Sequence, residues 1–441
     1  MSEMIAKWFQ IYERGSTVRT ELLGGLTTFV TMAYIVVVNP AILAFAGIPV
    51  GPSTVATILT AVFGSLLMGL LANRPIAVAP YMGENAFIAF GLAALGIGWQ
   101  QRLGAVFVSG VVFLVITLFH VRAWLANSIS PSLKHSFAVG IGLFLAFIGL
   151  CETGLVVKAE AVPVKLGNLH DPQVLLAVFG FVLICTLLYR RVRGAILVGM
   201  IATAALGFAL HLGKSPTRLV AWPFTGVYDL SAIAFQLDIA SVLKMSFLPV
   251  LLTLVLMSFL DTLGTLVGVG AAGNMLDERG NFPEIERPML VDALTCMFSG
   301  LVGTSTSGAY IESATGIREG ARTGLAAVTT AGLFAVTLFF IPLVEPLQQL
   351  RYAYGPALIA VGVLMLGAIR KIDFEDLTEL VPSFVTVVMM LFTYNIANGL
   401  TAGLVLYPLF KLTGGRWRDL NAGSVVLAGL CLIYYIFGLP H

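Results

Sequence analysis

Charged side chains are scarce in this sequence. Only 11% of its 441 residues are Asp, Glu, Lys or Arg, whereas 58% are hydrophobic and the mean hydropathy is +0.95. Because soluble domains carry about 25% charged residues, this chain has too little polar surface to cover a water-soluble fold. Apolar runs recur nearly from end to end, which predicts a polytopic membrane protein embedded in a lipid bilayer.

The sequence also lacks the patterns of several other protein classes. Its net charge is +2, and it has no basic tract that could follow a phosphate backbone, so we expect no nucleic acid partner. The four cysteines and five histidines are scattered, without the spacing of a disulfide framework or a metal site. We therefore expect no metal and no cofactor. The N-terminal tail is polar and mixed in charge, unlike a cleavable signal peptide.

The apolar runs predict fourteen membrane spans, since a helix needs about 20 apolar residues to cross the hydrocarbon. They form two blocks of seven, separated by the polar linker 213–245. Because seven is odd, the second block enters from the opposite face, which gives an inverted repeat as in many secondary transporters. A further apolar segment at 422–438 has no counterpart in the first block. The spans lie near residues 22–43, 54–72, 76–95, 103–120, 133–150, 172–189, 195–212, 246–270, 288–303, 304–320, 322–343, 356–369, 380–394 and 396–411.

The distribution of Lys and Arg predicts the orientation, because both favour the cytoplasmic side of short loops. A cytoplasmic N-terminus places most of the 25 basic residues in cytoplasmic loops and leaves the linker 213–245 outside. We therefore predict a multi-pass protein of the plasma membrane with its N-terminus in the cytoplasm.

The third span of each block is interrupted. In RPIAVAPYMGENAFIAF, Pro75 and Pro80 favour an extended chain, with a helix beginning near Gly83. In GTSTSGAYIESATG, an extended polar run precedes a helix start near Glu312 and Ser313. Irregular backbone at membrane depth is tolerated only where protein buries it or where it lines a cavity. We predict that the breaks meet near the midplane and that their helix N-termini form a binding site. Close helix packing alone is the alternative explanation for such small-residue spans.

Four acidic residues fall within the predicted spans: Glu84, Asp261, Asp292 and Glu312. An ionisable side chain at the bilayer centre costs about 2.5–3.5 kcal/mol and is by default a functional candidate. Asp261 has no Lys or Arg in its span and could take up a proton near neutral pH. Asp292 follows Arg287 closely, so an ion pair or a helix cap explains it as well as a functional role does.

The chemistry of two buried acids beside polar backbone favours a neutral, planar heterocycle. A carboxylate can hold adjacent N–H donors through two charge-assisted hydrogen bonds. A second acid that is protonated on binding would couple transport to a proton gradient. Because no cationic side chain faces the predicted cavity, an anion is disfavoured as the main substrate.

Five segments resemble the purine permeases of the nucleobase–cation symporter (nucleobase–ascorbate transporter) superfamily, in the adenine/guanine/hypoxanthine branch. They run in order through nearly the whole chain: TTFVTMAYIVVVNPAIL (27–43), MGENAFIAF (82–90), FLDTLGTLVGV (259–269), GTSTSGAYIESATGIREGARTGL (303–325) and VVMMLFTYNIANGLTAG (387–403). The resemblance implies an all-α fold of fourteen spans in two inverted repeats, with short antiparallel strands in spans 3 and 10. It also implies import of a purine nucleobase by proton symport, with an elevator-like movement and often as a homodimer.

The same resemblance implies a division of the chain into a core domain and a gate domain. The predicted parts are a cytoplasmic tail (1–21), core spans 1–4 (22–121), gate spans 5–7 (122–212), an outside linker (213–245), core spans 8–11 (246–343), gate spans 12–14 (344–411) and a C-terminal segment (412–441).

Position by position, the resemblance assigns substrate-binding roles to residues of spans 3, 8 and 10. Asp261 and Glu312 match the binding acids and are the predicted proton-coupling groups, Gly83 and Asn85 match the span-3 pair, and Thr262 and Ser313 are their neighbours. One position departs from the pattern, because Glu84 stands where an apolar residue is usual. This added acid could alter coupling or substrate preference, or it could point away from the cavity.

Other functions stay open at this point. Uracil, xanthine or another small solute could be carried on the same architecture. An intramembrane aspartyl protease using Asp261 and Asp292 is disfavoured, because Ser258, Phe259 and Leu260 precede Asp261 instead of a GxGD run. A channel would differ in lacking saturable, proton-dependent uptake. We expect a carrier that is not an enzyme.

Overall fold

The structure is a computed structural model that describes residues 2–93, 95–119, 124, 128–216, 218–276 and 282–437. The predicted domain boundary at residues 121 and 122, position 217 of the linker and the end of the chain at 438–441 lie outside the described residues.

The first half of the described chain is mostly helical. Its helices are α1 (Ser2–Trp8), α2 (Val18–Met32), α3 (Ile35–Leu43), α4 (Val50–Leu70), α5 (Met82–Ala86), α6 (Trp99–Leu118), α7 (Pro131–Glu152), α8 (Pro172–Tyr189) and α9 (Ala195–Ala209). Its strands are β1 (Val78–Pro80), β2 (Val156–Lys158) and β3 (Val164–Leu166). After α5 the chain continues through a π-helical turn, Phe87–Gly91.

The second half has the same character, with one strand, β4 (Ser307–Ala309). Its helices are α10 (Ile239–Val242), α11 (Leu248–Ala272), α12 (Glu286–Val302), α13 (Ser313–Arg318), α14 (Gly324–Thr337), α15 (Ile341–Gln349), α16 (Arg351–Met365), α17 (Leu377–Phe392), α18 (Ile396–Thr413) and α19 (Ala422–Phe437).

Local sequence explains several of the helix starts. Ser130 and Asp171 cap α7 and α8, each followed by a proline at the first helical position. There the missing N–H of proline costs nothing, and the capping oxygen accepts from a free backbone N–H. Thr17 caps α2 in the same way, by accepting from Thr20 N.

Nine helical segments in the described part of the chain are long and apolar enough to cross a membrane. Three further apolar helices are shorter, at Ala195–Ala209, Leu377–Phe392 and Ala422–Leu432. A multi-pass membrane protein is therefore supported, whereas the count of fourteen spans and the inverted repeat stay predictions. The C-terminal segment is a helix, α19, that packs on α18.

The helices pack in two groups. In the first, α2 to α6 pack against α11 to α14, and in the second, α7 to α9 pack against α16 to α18. A continuous buried apolar core runs through both groups. The strands form two separate pairs: β2 with β3 at the surface, and β1 with β4 inside the first group.

Candidate functional site

The two chain breaks meet as a buried antiparallel strand pair. Val78 lies opposite Ala309, and Pro80 lies opposite Ser307. The ladder is extended at both ends, by Tyr81 N donating to Thr306 O and Tyr310 N donating to Ala77 O, each at 2.9 Å. All six strand residues are buried. The predicted meeting of the two breaks and the predicted strands in spans 3 and 10 are confirmed.

A tyrosine follows each strand. The rings of Tyr81 and Tyr310 are parallel, with centroids 6.4 Å apart. The Tyr310 hydroxyl donates to the carbonyl oxygen of Pro80, and the Tyr81 hydroxyl lies 3.0 Å from Thr262 Oγ1. Each ring therefore joins the break of one half to an element of the other half.

The Asp292 side chain is hydrogen-bonded to this strand pair. Its Oδ2 accepts from Thr262 Oγ1 at 2.8 Å and from the backbone N–H of Ala309 at 3.0 Å. An ion pair between Asp292 and Arg287 is therefore the wrong alternative, since Arg287 lies 3.5 Å from Glu284 instead. Thr262 and Asp292 form a buried chain of hydrogen bonds that ends at the Tyr81 hydroxyl.

Asp261 and Glu84 adjoin each other. Their carboxyl groups lie within hydrogen-bonding reach, one on α11 and the other on α5. Glu84 is completely buried, whereas Asp261 is half-buried. Because two carboxylates offer only acceptors, the contact becomes a hydrogen bond only when one group carries a proton. Asp261 is therefore the accessible member of the pair and Glu84 the enclosed one.

Glu312 is the second accessible acid. It is half-buried, immediately precedes α13, and accepts a hydrogen bond from the Tyr34 hydroxyl at 2.6 Å. The Tyr310 hydroxyl lies within electrostatic reach of Glu312, Glu84 and Asp261. The structure therefore gathers the predicted acids of spans 3, 8 and 10 around one tyrosine.

The remaining predicted residues, Ser313, Gly83 and Asn85, contact other parts of the protein. Ser313 Oγ accepts from the backbone N–H of Ala77 at 3.0 Å and so ties the second break to the first. Gly83 approaches the second helix group closely, since a Cβ added there would lie 2.7 Å from Ile141 Cγ2. Asn85 is buried and donates to Asn39 Oδ1 at 2.9 Å, while its own side-chain oxygen has no donor among the described residues.

Asn39 is a functional candidate that sequence reasoning missed. It is completely buried beside Pro40 in α3, and its amide N donates to Thr57 and to Thr304 at 2.8 and 2.9 Å. Its oxygen accepts from Asn85 and from Ser305. An asparagine inside an apolar run was the available signal, because a buried amide must find partners for all its polar atoms.

An open face adjoins Asp261 on α11. Gly264 and Gly268 lie three and seven residues further on, and a Cβ at Gly264 would meet nothing within 4 Å. Ile311, just before Glu312, is 51% exposed. These positions border the half-buried acids, so a flat ligand could approach the helix backbone between them.

The arrangement also bears on the protease alternative. Such an enzyme needs two carboxyl groups that share one proton over a substrate. Asp292 Oδ2 is instead engaged by Thr262 and Ala309, and the acid beside Asp261 is Glu84. Asp261 and Asp292 therefore lack the arrangement that this enzyme class requires.

Comparison with known proteins identifies the class. A helical membrane protein with paired breaks and accessible intramembrane acids is built as transporters are. Residues 19–401 match the sequence profile of the Permease family, so the chain belongs to this family. The chain is 40% identical to the adenine permease AdeQ of Escherichia coli over an alignment of 434 residues. This alignment covers 97% of this chain and 95% of AdeQ.

A second relative and a solved structure extend this result. The guanine/hypoxanthine permease PbuO of Bacillus subtilis is 37% identical over 431 residues, covering 96% of this chain and 99% of PbuO. The transmembrane domain of the cyanobacterial bicarbonate transporter BicA has the same fold, with a TM-score of 0.61 at 16% identity over 87% of this chain and 97% of that domain. The resemblance read from the five motifs is confirmed.

Proposed function

We propose that this protein imports purine nucleobases (adenine, guanine or hypoxanthine) across the plasma membrane by proton symport. The observation that carries the proposal is the placement of two half-buried acids near the buried strand pair: Glu312 lies three residues after β4, and Asp261 lies on α11, which contacts β4. Relatives of near-equal length named as adenine and guanine/hypoxanthine permeases support the substrate class.

The substrate argument rests on the available donors and acceptors. A purine presents ring and exocyclic N–H groups along one edge, and a carboxylate can accept two of them at once. Gly264, one turn after Asp261, leaves room for a flat ring against the α11 backbone, whereas Ile311 covers Gly268. Among the described residues, no Lys or Arg acts on Asp261 or Glu312, which favours a neutral substrate over an anion.

The movement that we propose follows the two groups of helices. The first group, with the strand pair and the acids, is the core domain, and the second group is the gate domain. The core would slide against the gate as an elevator, with the strand pair carried as one rigid unit. The close approach of Gly83 to Ile141 lies on the surface where this sliding occurs.

The proposed architecture has fourteen spans in two inverted repeats, with the N-terminus in the cytoplasm and the protein often a homodimer. The nine long apolar segments do not include α12 (Glu286–Val302) or the interrupted segments around α5 and α13. Among the described helices, these are too short or too polar to be counted by length and composition. Counting these three and the shorter apolar helices α9 and α17 as spans gives the proposed fourteen, with α19 as an additional C-terminal helix outside that count.

The test is uptake of radiolabelled adenine and hypoxanthine by cells that lack their own purine carriers. Unlabelled adenine, guanine, hypoxanthine, xanthine and uracil are added as competitors. We expect saturable uptake that is inhibited by the first three bases and by dissipation of the proton gradient. Preferential competition by uracil or xanthine would indicate another nucleobase, and the absence of uptake of any base would refute the proposal.

A further inference from the structure

Glu84 is the least compensated acid in the described structure. It is 0% exposed, and neither of its carboxylate oxygens has a hydrogen-bond donor among the described residues. It lies in the first turn of α5, directly after the strand pair. Leaving an ionised carboxylate in this position would cost several kcal/mol even after the protein relaxes.

Among the described residues, no Lys or Arg compensates this charge. The buried Arg102 belongs to α6. Its guanidinium donates to the carbonyl oxygens of Ile88 and Ala89, in the π-helical turn that follows α5, and to that of Ile97. Arg102 therefore stabilises the carbonyl end of the segment and not the carboxyl group of Glu84.

The groups that face Glu84 are acidic or neutral. Among the described residues they are Asp261 on α11, Cys296 on α12, and the hydroxyls of Tyr81 and Tyr310 beside the strands. Of these, the Asp261 carboxyl group lies within hydrogen-bonding reach. Two adjoining carboxylates repel each other strongly away from water, whereas one proton between them replaces the repulsion with a charge-assisted hydrogen bond.

We propose that Glu84 and Asp261 form a proton-sharing carboxyl pair, and that this pair, rather than Asp261 alone, is the site at which transport is coupled to protons. The proposal rests on the proposed function and specifies its coupling site. Asp261 is half-buried and Glu84 is enclosed, so the proton enters and leaves through Asp261.

The proton count of the cycle follows from the pair. Empty, the two carboxyl groups hold one proton and a net charge of −1. On the side where substrate enters, they take up one further proton and become neutral, as the substrate binds. On the other side, substrate and that proton leave, and the pair returns to its state with one proton.

The first experiment compares two activities of the purified protein in liposomes. Counterflow measures exchange of labelled purine without a gradient, and an imposed pH gradient drives accumulation. For Glu84→Gln, which preserves shape but cannot be ionised, we expect the ratio of accumulation to counterflow to fall at least about tenfold, as for loss of one charge-assisted hydrogen bond. Glu160→Gln, a change of the same chemistry on the exposed loop between β2 and β3, should leave the ratio unchanged.

The outcome that overturns the proposal is a Glu84→Gln protein with the wild-type ratio. Equal losses of counterflow and accumulation, which leave the ratio unchanged, overturn it as well, because they indicate that Glu84 only positions its surroundings.

A second measurement needs no transport. Infrared spectra of the wild-type protein in detergent at neutral pH should contain a protonated carboxyl band that shifts in heavy water. The band should weaken in both Glu84→Gln and Asp261→Asn. If the wild-type protein exchanges no purine, the proposed function fails and the pair is judged by this band alone. An absent wild-type band, or a band unaltered in Glu84→Gln, overturns the pair even where that variant cannot be reconstituted.

Discussion

The two breaks of the chain have the same construction and different surroundings. In each, a three-residue strand is followed by a short helix with an acid at or near its start. The first acid, Glu84, is completely buried and has no donor among the described residues. The second, Glu312, is half-buried and accepts from Tyr34.

In the sequence alone the two acids look equivalent, whereas in the structure they differ in burial and in hydrogen bonding. In the function that we propose, Glu312 meets the ligand, which requires a reachable group, and the Tyr34 hydroxyl holds its carboxyl group in place. A group that stores a proton can be enclosed, as Glu84 is beside Asp261. We therefore propose different roles for the acids that follow the two strands.

The largest effect should come from removing the accessible acids. Asp261→Asn removes the acid through which we propose the proton enters, and Glu312→Gln loses a charge-assisted hydrogen bond to substrate, worth about 1.5–3 kcal/mol. Purine uptake should fall about 10- to 100-fold in each variant. Uptake normalised to protein in the membrane is the measurement, and the exposed Glu160→Gln is the matched control. Normal transport by both variants would show that the site assignment is wrong.

An intermediate effect should distinguish the backbones of the two breaks. A Cβ at Gly308 would lie 2.2 Å from the Tyr81 hydroxyl, on a rigid ring that is stacked on Tyr310. A Cβ at Gly83 would meet the flexible side chain of Ile141 at 2.7 Å. Because overpacking typically costs about 1–3 kcal/mol, Gly308→Ala should lower uptake about tenfold. Gly83→Ala should lose less, since the Ile141 side chain can rotate.

Thermal unfolding of the two glycine variants in detergent completes this comparison. We expect a larger fall in Tm for Gly308→Ala, because the displaced Tyr81 leaves the hydroxyl of Thr262 without one of its partners. A greater loss in Gly83→Ala would contradict the rigid fit that we describe for the second break.

The smallest effect should come from the donor to Glu312. Tyr34→Phe removes one hydrogen bond of 2.6 Å and keeps the ring. A single hydrogen bond contributes about 1 kcal/mol, so purine affinity should fall about fivefold. Binding of labelled purine to the purified protein measures this change. Tyr189→Phe, at an 87% exposed position, is the control, and an equal effect of both changes would contradict a specific role for Tyr34.

Much of the fold around the site follows from local sequence. Pro75 and Pro80 predict an extended run over 75–81, and the strand lies at Val78–Pro80. A helix was expected near Gly83 and begins at Met82. These features depend on fixed proline dihedrals and missing N–H donors, which act within a few residues. The start of α13 at Ser313 was predicted from the end of the Gly/Ser/Thr run.

The partners of the buried polar groups could not be predicted in this way. Sequence proximity pointed Asp292 to Arg287, whereas the fold brings it to Thr262 and Ala309. Asn39 bonds to residues as distant as Thr304, and nothing in its neighbourhood indicates this. Such contacts are selected by tertiary packing, because each buried polar atom bonds to whatever partner the fold brings near.

The pairing of Val78–Pro80 with Ser307–Ala309 has a consequence for biosynthesis. A ribosome completes the first strand long before the second, and translation adds only about 5–20 residues each second. During that interval the first strand has no partner strand for its backbone hydrogen bonds. The first strand therefore needs shelter from lipid until the second is made, so the strand pair can form only after more than two thirds of the chain has been synthesised.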